Sequence, residues 1–421
     1  MRWALGAGVA LLVSASAVGA AHVRASSEET PASILVTRVR GPKVDCLASR
    51  VVREDRASLT PIESSPRVKG AFEQPVYSPD RTAVALGGNT GRVIVVDAAN
   101  LQLQANVRVA SPDENVRVVA WPARDRLVVT SYGASAARPY GWTRVIALDP
   151  LEDDVLFSQS FPAYAEGGVT RSGRVPLLVV SSRALVPPRI VVLDAEGTIR
   201  SAALGQLRAG RSSKPQRVRS PGFAVDGQND RAFVIDPNGL VAEVRLESLT
   251  VRYHRVKGLV SKRPGLPERR RAATWLGSGR IAISGGDDDA RYFYSPVGPN
   301  DEKRPSSYTP FGLRILDTRI WRQRILDRRP SSFEWMRGRL IAYGRSVNEK
   351  ATRPDETAVA FDRNGRLVYT IRGNRDTYWW PFDNRLFLMK PQSRLLEVRS
   401  ARDGRVLGHV AGQALAGLGP C

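Results

Sequence analysis

The chain has 421 residues, of which 42% are hydrophobic and 25% are charged, with 36 Gly and 28 Pro. This composition is that of a globular protein with many turns, and it excludes a disordered or collagen-like chain. Lys and Arg number 63 against 41 Asp and Glu, a formal charge of +22. Such a charge bears on solubility and on attraction to polyanions rather than on fold, and a generally arginine-rich composition is the simpler explanation.

The first residues have the layout of a secretory signal. A short basic start at Arg2 is followed by an uncharged segment from Ala4 to Ala17 and by small residues at Val18–Ala20. This order predicts a signal peptide over residues 1–20, and therefore a secreted or extracytoplasmic protein of the cell envelope. The segment is short for a membrane span, and an uncleaved N-terminal anchor is the alternative. The mature chain is predicted to have no membrane span.

Residues 21–72 form an N-terminal extension that does not fit the repeat found further along. Ile34–Val39 is a candidate strand in this extension. We expect it either to add an outer strand to the main domain or to pack across one of its faces.

A recurring pair of strands dominates residues 73–411. GRVIVVDAANLQLQANVRV, from Gly91, shows the pattern: a β-branched run ends in Asp, a short turn follows, and a second strand alternates apolar and polar residues. An Asp at the strand end can accept backbone N–H bonds and tighten the turn. Five of these runs end in this way, at Asp97, Asp149, Asp194, Asp317 and Asp362.

Each such pair is preceded by another hairpin, so the repeating unit has four strands, here called a to d. Repetition at this period indicates stacked or radial units. The sequence therefore predicts an all-β protein, a β-propeller of seven four-stranded blades, with eight blades as the alternative. The propeller spans 73–411 and a tail follows at 412–421. The predicted blades cover residues 74–109, 117–161, 165–204, 221–256, 272–327, 332–371 and 377–411.

These repeats resemble those of exported bacterial WD40-like and YVTN-type β-propellers, over about 80% of the chain. The Trp-Asp dipeptide of strict WD40 repeats is missing from the strand ends. The resemblance implies a ring that closes by pairing strands from the two chain ends. Cys46 and Cys421 would then approach each other, and export would permit a disulfide between them. Two unpaired thiols are the alternative.

The longest turns fall between strands b and c or between blades, and in a propeller both classes emerge on one face. Function usually resides in long loops on a rigid scaffold, so this face is predicted to bind a partner. Two blade-to-blade links, Gly205–Ser220 and Lys257–Ala272, flank the fourth blade and are basic, although a solvated link is the alternative. Their candidate binding residues are Arg208, Arg211, Lys214, Arg217, Arg269, Arg270 and Arg271. Neither link has the aromatic residues that stack on bases, which argues against nucleic acid.

The insertion of the fifth blade has a different character. Asp287, Asp288 and Asp289 are oxygen ligands of the kind that Ca²⁺ takes, but they lack the spacing of an EF-hand, and a solvated acidic turn is the alternative. Tyr292 and Tyr294 follow and are candidates for lining a cleft. No other cofactor is predicted.

Three hypotheses about function follow. The first is an exported, non-catalytic and monomeric propeller that binds or scaffolds a partner protein or an anionic envelope polymer through its long-loop face. The second is a propeller-class enzyme, a lactonase-like hydrolase or a lyase, with a divalent cation at the mouth of the channel. The third is a basic module that binds polyanions.

Overall fold

A computed structural model of the chain describes these residues: 32–39, 48–55, 61–70, 72, 75–133, 142–194, 197–213, 216–260, 266–288, 309–329, 332–343, 357–372, 378–382, 384–389 and 395–411. The predicted signal peptide and the tail at 412–421 lie outside them. The described residues contain strands and turns but no helix, so they hold no helix that could cross a membrane.

The described strands form seven four-stranded antiparallel blades arranged as a β-propeller, as predicted. In each blade the four strands a to d follow one another in sequence and pair in that order. Strand d is the most exposed and forms the outer edge, as in β8 and β12. All seven blades lie at the predicted places. The inner strand of blade 5 begins at Glu268, a few residues before the predicted start of that blade at 272.

The strands of the blades, in the order a to d, have these bounds. Blade 1 contains β5 (Val76–Tyr77), β6 (Ala83–Gly87), β7 (Arg92–Asp97) and β8 (Leu103–Arg108). Blade 2 contains β9 (Asn115–Ala123), β10 (Arg126–Tyr132), β11 (Thr143–Asp149) and β12 (Asp154–Phe161). Blade 3 contains β13 (Ala163–Gly167), β14 (Val175–Ser181), β16 (Arg189–Leu193) and β17 (Ile199–Ala203). Blade 4 contains β20 (Gly222–Asp226), β21 (Arg231–Ile235), β22 (Asn238–Arg245) and β23 (Val251–Val260).

The remaining blades continue the order. Blade 5 contains β24 (Glu268–Gly277), β25 (Arg280–Asp288), β27 (Leu313–Asp317) and β28 (Arg322–Asp327). Blade 6 contains β29 (Ser332–Met336), β30 (Arg339–Tyr343), β31 (Thr357–Asp362) and β32 (Leu367–Arg372). Blade 7 contains β33 (Tyr378–Phe382), β34 (Arg385–Met389), β35 (Leu395–Ser400) and β36 (Val406–Ala411).

The blades are held together by apolar clusters between neighbouring sheets. Side chains of a strand alternate between its two faces, and in β7 this places Val93 and Val95 against blade 2 while Ile94 and Val96 face the other way. Equivalent clusters join each later pair of neighbouring blades as far as blades 6 and 7. The continuous β-branched runs of the sequence therefore mark sheets that are covered on both faces.

The strand-ending aspartates close their turns as predicted. The Asp97 carboxylate accepts the backbone N–H of Ala99 at 2.7 Å, and the Asp194 carboxylate accepts that of Thr198 at 2.7 Å. Asp149, Asp317 and Asp362 accept backbone N–H groups in the same way. The repeated Asp is therefore a turn-forming residue.

The N-terminal extension forms a separate sheet, the closing sheet. It consists of β1 (Ala32–Val39), β2 (Ala48–Asp55), β3 (Pro61–Ser64) and β4 (Val68–Lys69). On one side Val51 packs into a cluster with Leu86 and Ile94 of blade 1. On the other side Glu54 forms an ion pair with Arg385 of blade 7, with 2.6 Å between Oε1 and Nη1. The closing sheet therefore lies between the first and last blades.

Two expectations about the chain ends are corrected. Ile34–Val39 belongs to a strand, but that strand pairs with β2 and does not become an outer strand of a blade. The ends do not share a sheet in the described residues either, because blade 7 consists of β33 to β36 alone. Side-chain packing and the buried ion pair join the first and last blades instead. Cys46 and Cys421 lie outside the described residues, so their disulfide stays a prediction.

Candidate binding site

Extra strands extend one face of the propeller over blades 3 to 5. They are β15 (Leu185–Val186), β18 (Ala209–Ser213), β19 (Gln216–Ser220) and β26 (Thr309–Pro310). Each comes from a b–c loop or from the link between blades 3 and 4, and both classes of connection emerge on the same side of an up-and-down blade. We call the side that carries these four strands the link face. Elaboration of this face, predicted from loop lengths, is thus seen in the structure.

The extra strands extend the sheet of blade 5. β15 pairs with β18, β18 pairs with β19, and β19 pairs in parallel with the first residues of β24, which belong to blade 5. In that parallel register Ser220 lies opposite Arg270. The two basic links that flank blade 4 are therefore neighbours, as their position in the repeat indicated.

Gly210 allows the closest approach within this sheet. Its φ is +120°, and a Cβ at this position would lie 2.2 Å from the carbonyl oxygen of Ala184. Only glycine fits such a contact without a shift of the backbone. Gly210 therefore lets β18 approach the end of blade 3 and close one side of the cavity described below.

The three consecutive arginines of the second link do not form one surface cluster. They belong to strand β24, whose side chains alternate, so Arg269 and Arg271 are buried while Arg270 is exposed. Arg269 donates to the Asn238 side chain at 2.8 Å. Burial lowers the pKa of Arg269, and repulsion from Arg219 adds to the shift. Of these three candidate binding residues, Arg270 alone is therefore exposed to a ligand.

Arg271 belongs to a buried cluster of charged side chains around one aromatic ring. Its guanidinium lies 3.2 Å from the Asp287 carboxylate and 3.9 Å above the centre of the Phe311 ring. Arg314 lies 3.9 Å from the same centre and donates to the Gly258 carbonyl at 2.6 Å. Burial lowers the pKa of Arg314 to about 10, and repulsion from Arg271 contributes. Both guanidiniums therefore lie beside one ring.

Asp287, proposed from sequence as a calcium ligand, is a buried partner of Arg271. The side chains of Asp288 and Asp289 lie outside the described residues, as do Tyr292, Tyr294 and Lys214. Within the part of the chain that the structure describes, no group of three or more His, Cys, Asp or Glu is arranged to hold a metal ion. The Ca²⁺ site stays a prediction.

A cavity of about 360 Å³ lies where blades 3 and 5 meet the extra strands. Strand β13 contributes Tyr164 and Glu166, β18 contributes Gly210 and Arg211, and β24 contributes Arg270. The rest of the lining combines aliphatic and hydroxyl side chains: Leu178, Val180, Ser181, Val218, Ser220 and Pro221. Of the predicted binding residues, Arg211 and Arg270 thus share one cavity.

The cavity holds charges of both signs. The Arg270 side chain is 57% exposed, and its Nε contacts the buried carboxylate of Glu268. Glu166 lies on the inner strand of blade 3, where burial raises the pKa of its carboxyl group and the positive charge of Arg117 opposes that shift. Arg211 and the outer nitrogens of Arg270 can contact an anion in the cavity, while the Nε of Arg270 stays on Glu268.

The other predicted arginines lie beside the cavity rather than in it. Arg208 is exposed and its guanidinium donates to the carbonyls of Gly205 and Leu207, each at 3.2 Å. Arg217 is exposed on β19. These two residues add positive charge to the link face without lining the cavity.

Tyr164 and Glu166 are site residues that sequence analysis missed. They occupy alternate positions of an inner strand and so project to the same side of it. Polar residues at alternate positions of an a strand are the sequence signal that could have identified them.

The opposite face carries a second cavity, of about 310 Å³, between blades 1 and 2. Asp80 lines it, but this carboxylate is engaged within its own turn by the Ser78 hydroxyl at 2.7 Å and the Thr82 hydroxyl at 2.8 Å. These hydrogen bonds lower the pKa of Asp80 to about 2. We assign the group to turn formation.

Comparisons with known proteins identify the fold but not a family. Neither the protein-family models nor the curated proteins include a match to this chain. Among solved structures, the dihydro-heme d1 dehydrogenase NirN in complex with DHE is 13% identical, covers 90% of this chain and 73% of its own, and has a TM-score of 0.54. Apo AztD from Citrobacter koseri is 11% identical, with a TM-score of 0.50, and the match covers 90% of this chain and 94% of AztD. BamB from Moraxella catarrhalis is 11% identical, with a TM-score of 0.45, and the match covers 89% of this chain and 98% of BamB. At these identities NirN and AztD share the propeller fold with this chain, and nothing more follows.

Proposed function

We propose that this protein is an exported, non-catalytic propeller that binds a partner protein on its link face. The observation that carries the proposal is the convergence of β15, β18, β19 and the start of β24 around one cavity. Concave sites with a few placed polar groups are where proteins bind ligands. An anionic envelope polymer is the alternative partner.

Export is supported by the signal-like layout of residues 1–20. The repeat with strand-ending aspartates supports a place among the exported WD40-like and YVTN-type propellers. The seven blades make a rigid platform whose faces can vary without loss of the ring.

The chemistry of the cavity supports binding more than reaction. Guanidiniums hold anions through paired hydrogen bonds and stay protonated at neutral pH. The enzyme hypothesis needs carboxylates that are available to a divalent cation, whereas Asp287 is buried with Arg271. We therefore place the binding hypothesis first.

Photo-crosslinking from the surface tests the proposal. A photoreactive benzoylphenylalanine replaces Arg217 on the link face, in cells that produce and export the protein. Arg402, exposed in the c–d turn of blade 7, is the matched control on the opposite face. We expect a discrete adduct from position 217 and none from position 402, because the partner covers only the link face.

The nature of the adduct separates the two partners. An adduct that protease digests to a short remnant indicates a partner protein, and one that resists protease but yields to glycan cleavage indicates an envelope polymer. Adducts of equal yield from both positions, or from 402 alone, would contradict a binding role for the link face.

A further inference from the structure

We infer that the cavity beneath β18 and β19 is a subsite for the free C-terminal carboxylate of a peptide that ends in an aliphatic residue. This inference rests on the proposed function and names the part of the partner that the cavity takes. Arg211 and Arg270 would hold the carboxylate, and the aliphatic wall would hold the last side chain.

The two cations reach the cavity from distant positions of the chain. Arg211 comes from the link after blade 3 and Arg270 from the inner strand of blade 5, 59 positions later. The antiparallel β18–β19 pairing and the parallel β19–β24 pairing bring them to one cavity. A guanidinium has five N–H donors, so Arg270 can donate to a ligand carboxylate while its Nε contacts Glu268, and Arg211 can donate to the same carboxylate.

One wall of the cavity is aliphatic. Leu178 and Val180 come from blade 3, and Val218 and Pro221 come from β19 and its end. Such a wall gains free energy by covering an apolar side chain of the ligand. A volume of about 360 Å³ is at the small end of ligand cavities, about 300–1,000 Å³. It suits the last residue or two of a peptide.

These features favour a peptide over a glycan or a nucleic acid. Sugars and bases are usually held on aromatic faces, and Tyr164 contributes the single aromatic ring among the described lining residues. Four aliphatic side chains and two guanidiniums instead match a chain end that carries one negative charge and one apolar side chain.

Glu166 makes the binding dependent on pH. The charged or titratable groups about it are Arg117 on β9, Tyr164 on its own strand, Arg211 on β18, and Arg270 with its acidic partner Glu268 on β24. An anionic ligand disfavours the ionised form of Glu166, so ligand binding and protonation of this carboxyl favour each other. Burial already raises the pKa of Glu166, and affinity should therefore rise as the pH falls through this raised pKa.

Titration calorimetry on the mature protein tests the inference with defined probes. The probes are N-acetylated tri-alanine peptides extended by one leucine or valine, each made with a free carboxylate and with a C-terminal amide. We expect the carboxylate form to bind at least about tenfold more tightly than the amide, the factor expected when a charged hydrogen-bond partner is removed. Equal binding of the two forms, or binding of neither, would overturn the inference.

Variants assign the effect to residues. Arg211→Gln should reduce affinity for the carboxylate peptide about tenfold, whereas Arg217→Gln, a neighbouring exposed arginine outside the cavity, should change it less than about twofold. Glu166→Gln should bind more tightly at about pH 7 and lose most of the pH dependence. Equal losses in Arg211→Gln and Arg217→Gln would show a general basic surface and refute the subsite. If the peptides do not bind while position 217 still gives its crosslinked adduct, the inferred subsite is refuted and the proposed function stands.

Discussion

Arg385→Met should lower the free energy of unfolding by about 3–5 kcal/mol. Arg385 lies on β34 of blade 7 and Glu54 on β2 of the closing sheet, and their side chains are 4% and 5% exposed. Removing the cation leaves the Glu54 carboxylate in a site from which water is largely excluded. Breaking a buried pair from one side is costly because the remaining charge stays buried.

Arg405→Met is the matched control for this change. Arg405 belongs to the same blade, but its pairing with Asp403 is loose at 3.9 Å and both side chains are more than half exposed. An exposed pair of this kind contributes about 0–1 kcal/mol. Urea unfolding at one pH measures both variants, and the double variant Glu54→Leu with Arg385→Met should recover much of the loss because no charge is then left buried. A loss in Arg385→Met no greater than in Arg405→Met would show that this pair does not hold the ring closed.

Arg271→Met should cost a similar amount, about 3–5 kcal/mol, for a related reason. The side chains of Arg271 and Asp287 are 0% and 2% exposed, and the guanidinium also lies on the Phe311 ring. The variant leaves Asp287 buried without this cation and removes a cation–π contact. Urea unfolding is again the measurement.

Arg319→Met is the control within the same blade, since the Arg319 side chain is 59% exposed beside Asp317. Asp287→Asn combined with Arg271→Met should be more stable than Arg271→Met alone, because the double variant no longer buries the charge of Asp287. If Arg271→Met unfolds at the same urea concentration as Arg319→Met, the buried cluster does not support blade 5.

The blades could be predicted because their signals are local. Alternating apolar residues and a strand-ending Asp lie within about 20 residues of each other, so a hairpin such as the one that ends in Asp97 is visible without knowledge of the rest of the fold. The long segments between strands b and c or between blades likewise indicated which face is elaborated.

The cavity could not be predicted because it depends on contacts between distant residues. Arg269, Arg270 and Arg271 look like one basic cluster in a link, but the parallel pairing of Val218 with Glu268 makes them part of a strand and separates them by face. Glu166 joins Arg270 only through this pairing. The closing sheet was missed for a different reason, since β3 and β4 have only four and two residues and carry no repeat.

The parallel register between β19 and β24 is the feature on which the cavity and both proposals depend, and an engineered disulfide tests it most directly. In a Cys46→Ser, Cys421→Ser background, Ser220→Cys with Arg270→Cys places two thiols on paired positions, about 4.8 Å apart between Cα atoms. That spacing permits a disulfide. Ser220→Cys with Ala272→Cys is the control, because Ala272 lies two residues beyond the position that pairs with Ser220. Mass analysis of the oxidised proteins should show the 220–270 bridge in high yield and little of the 220–272 bridge. Equal yields, or two free thiols at 220 and 270, would contradict the account.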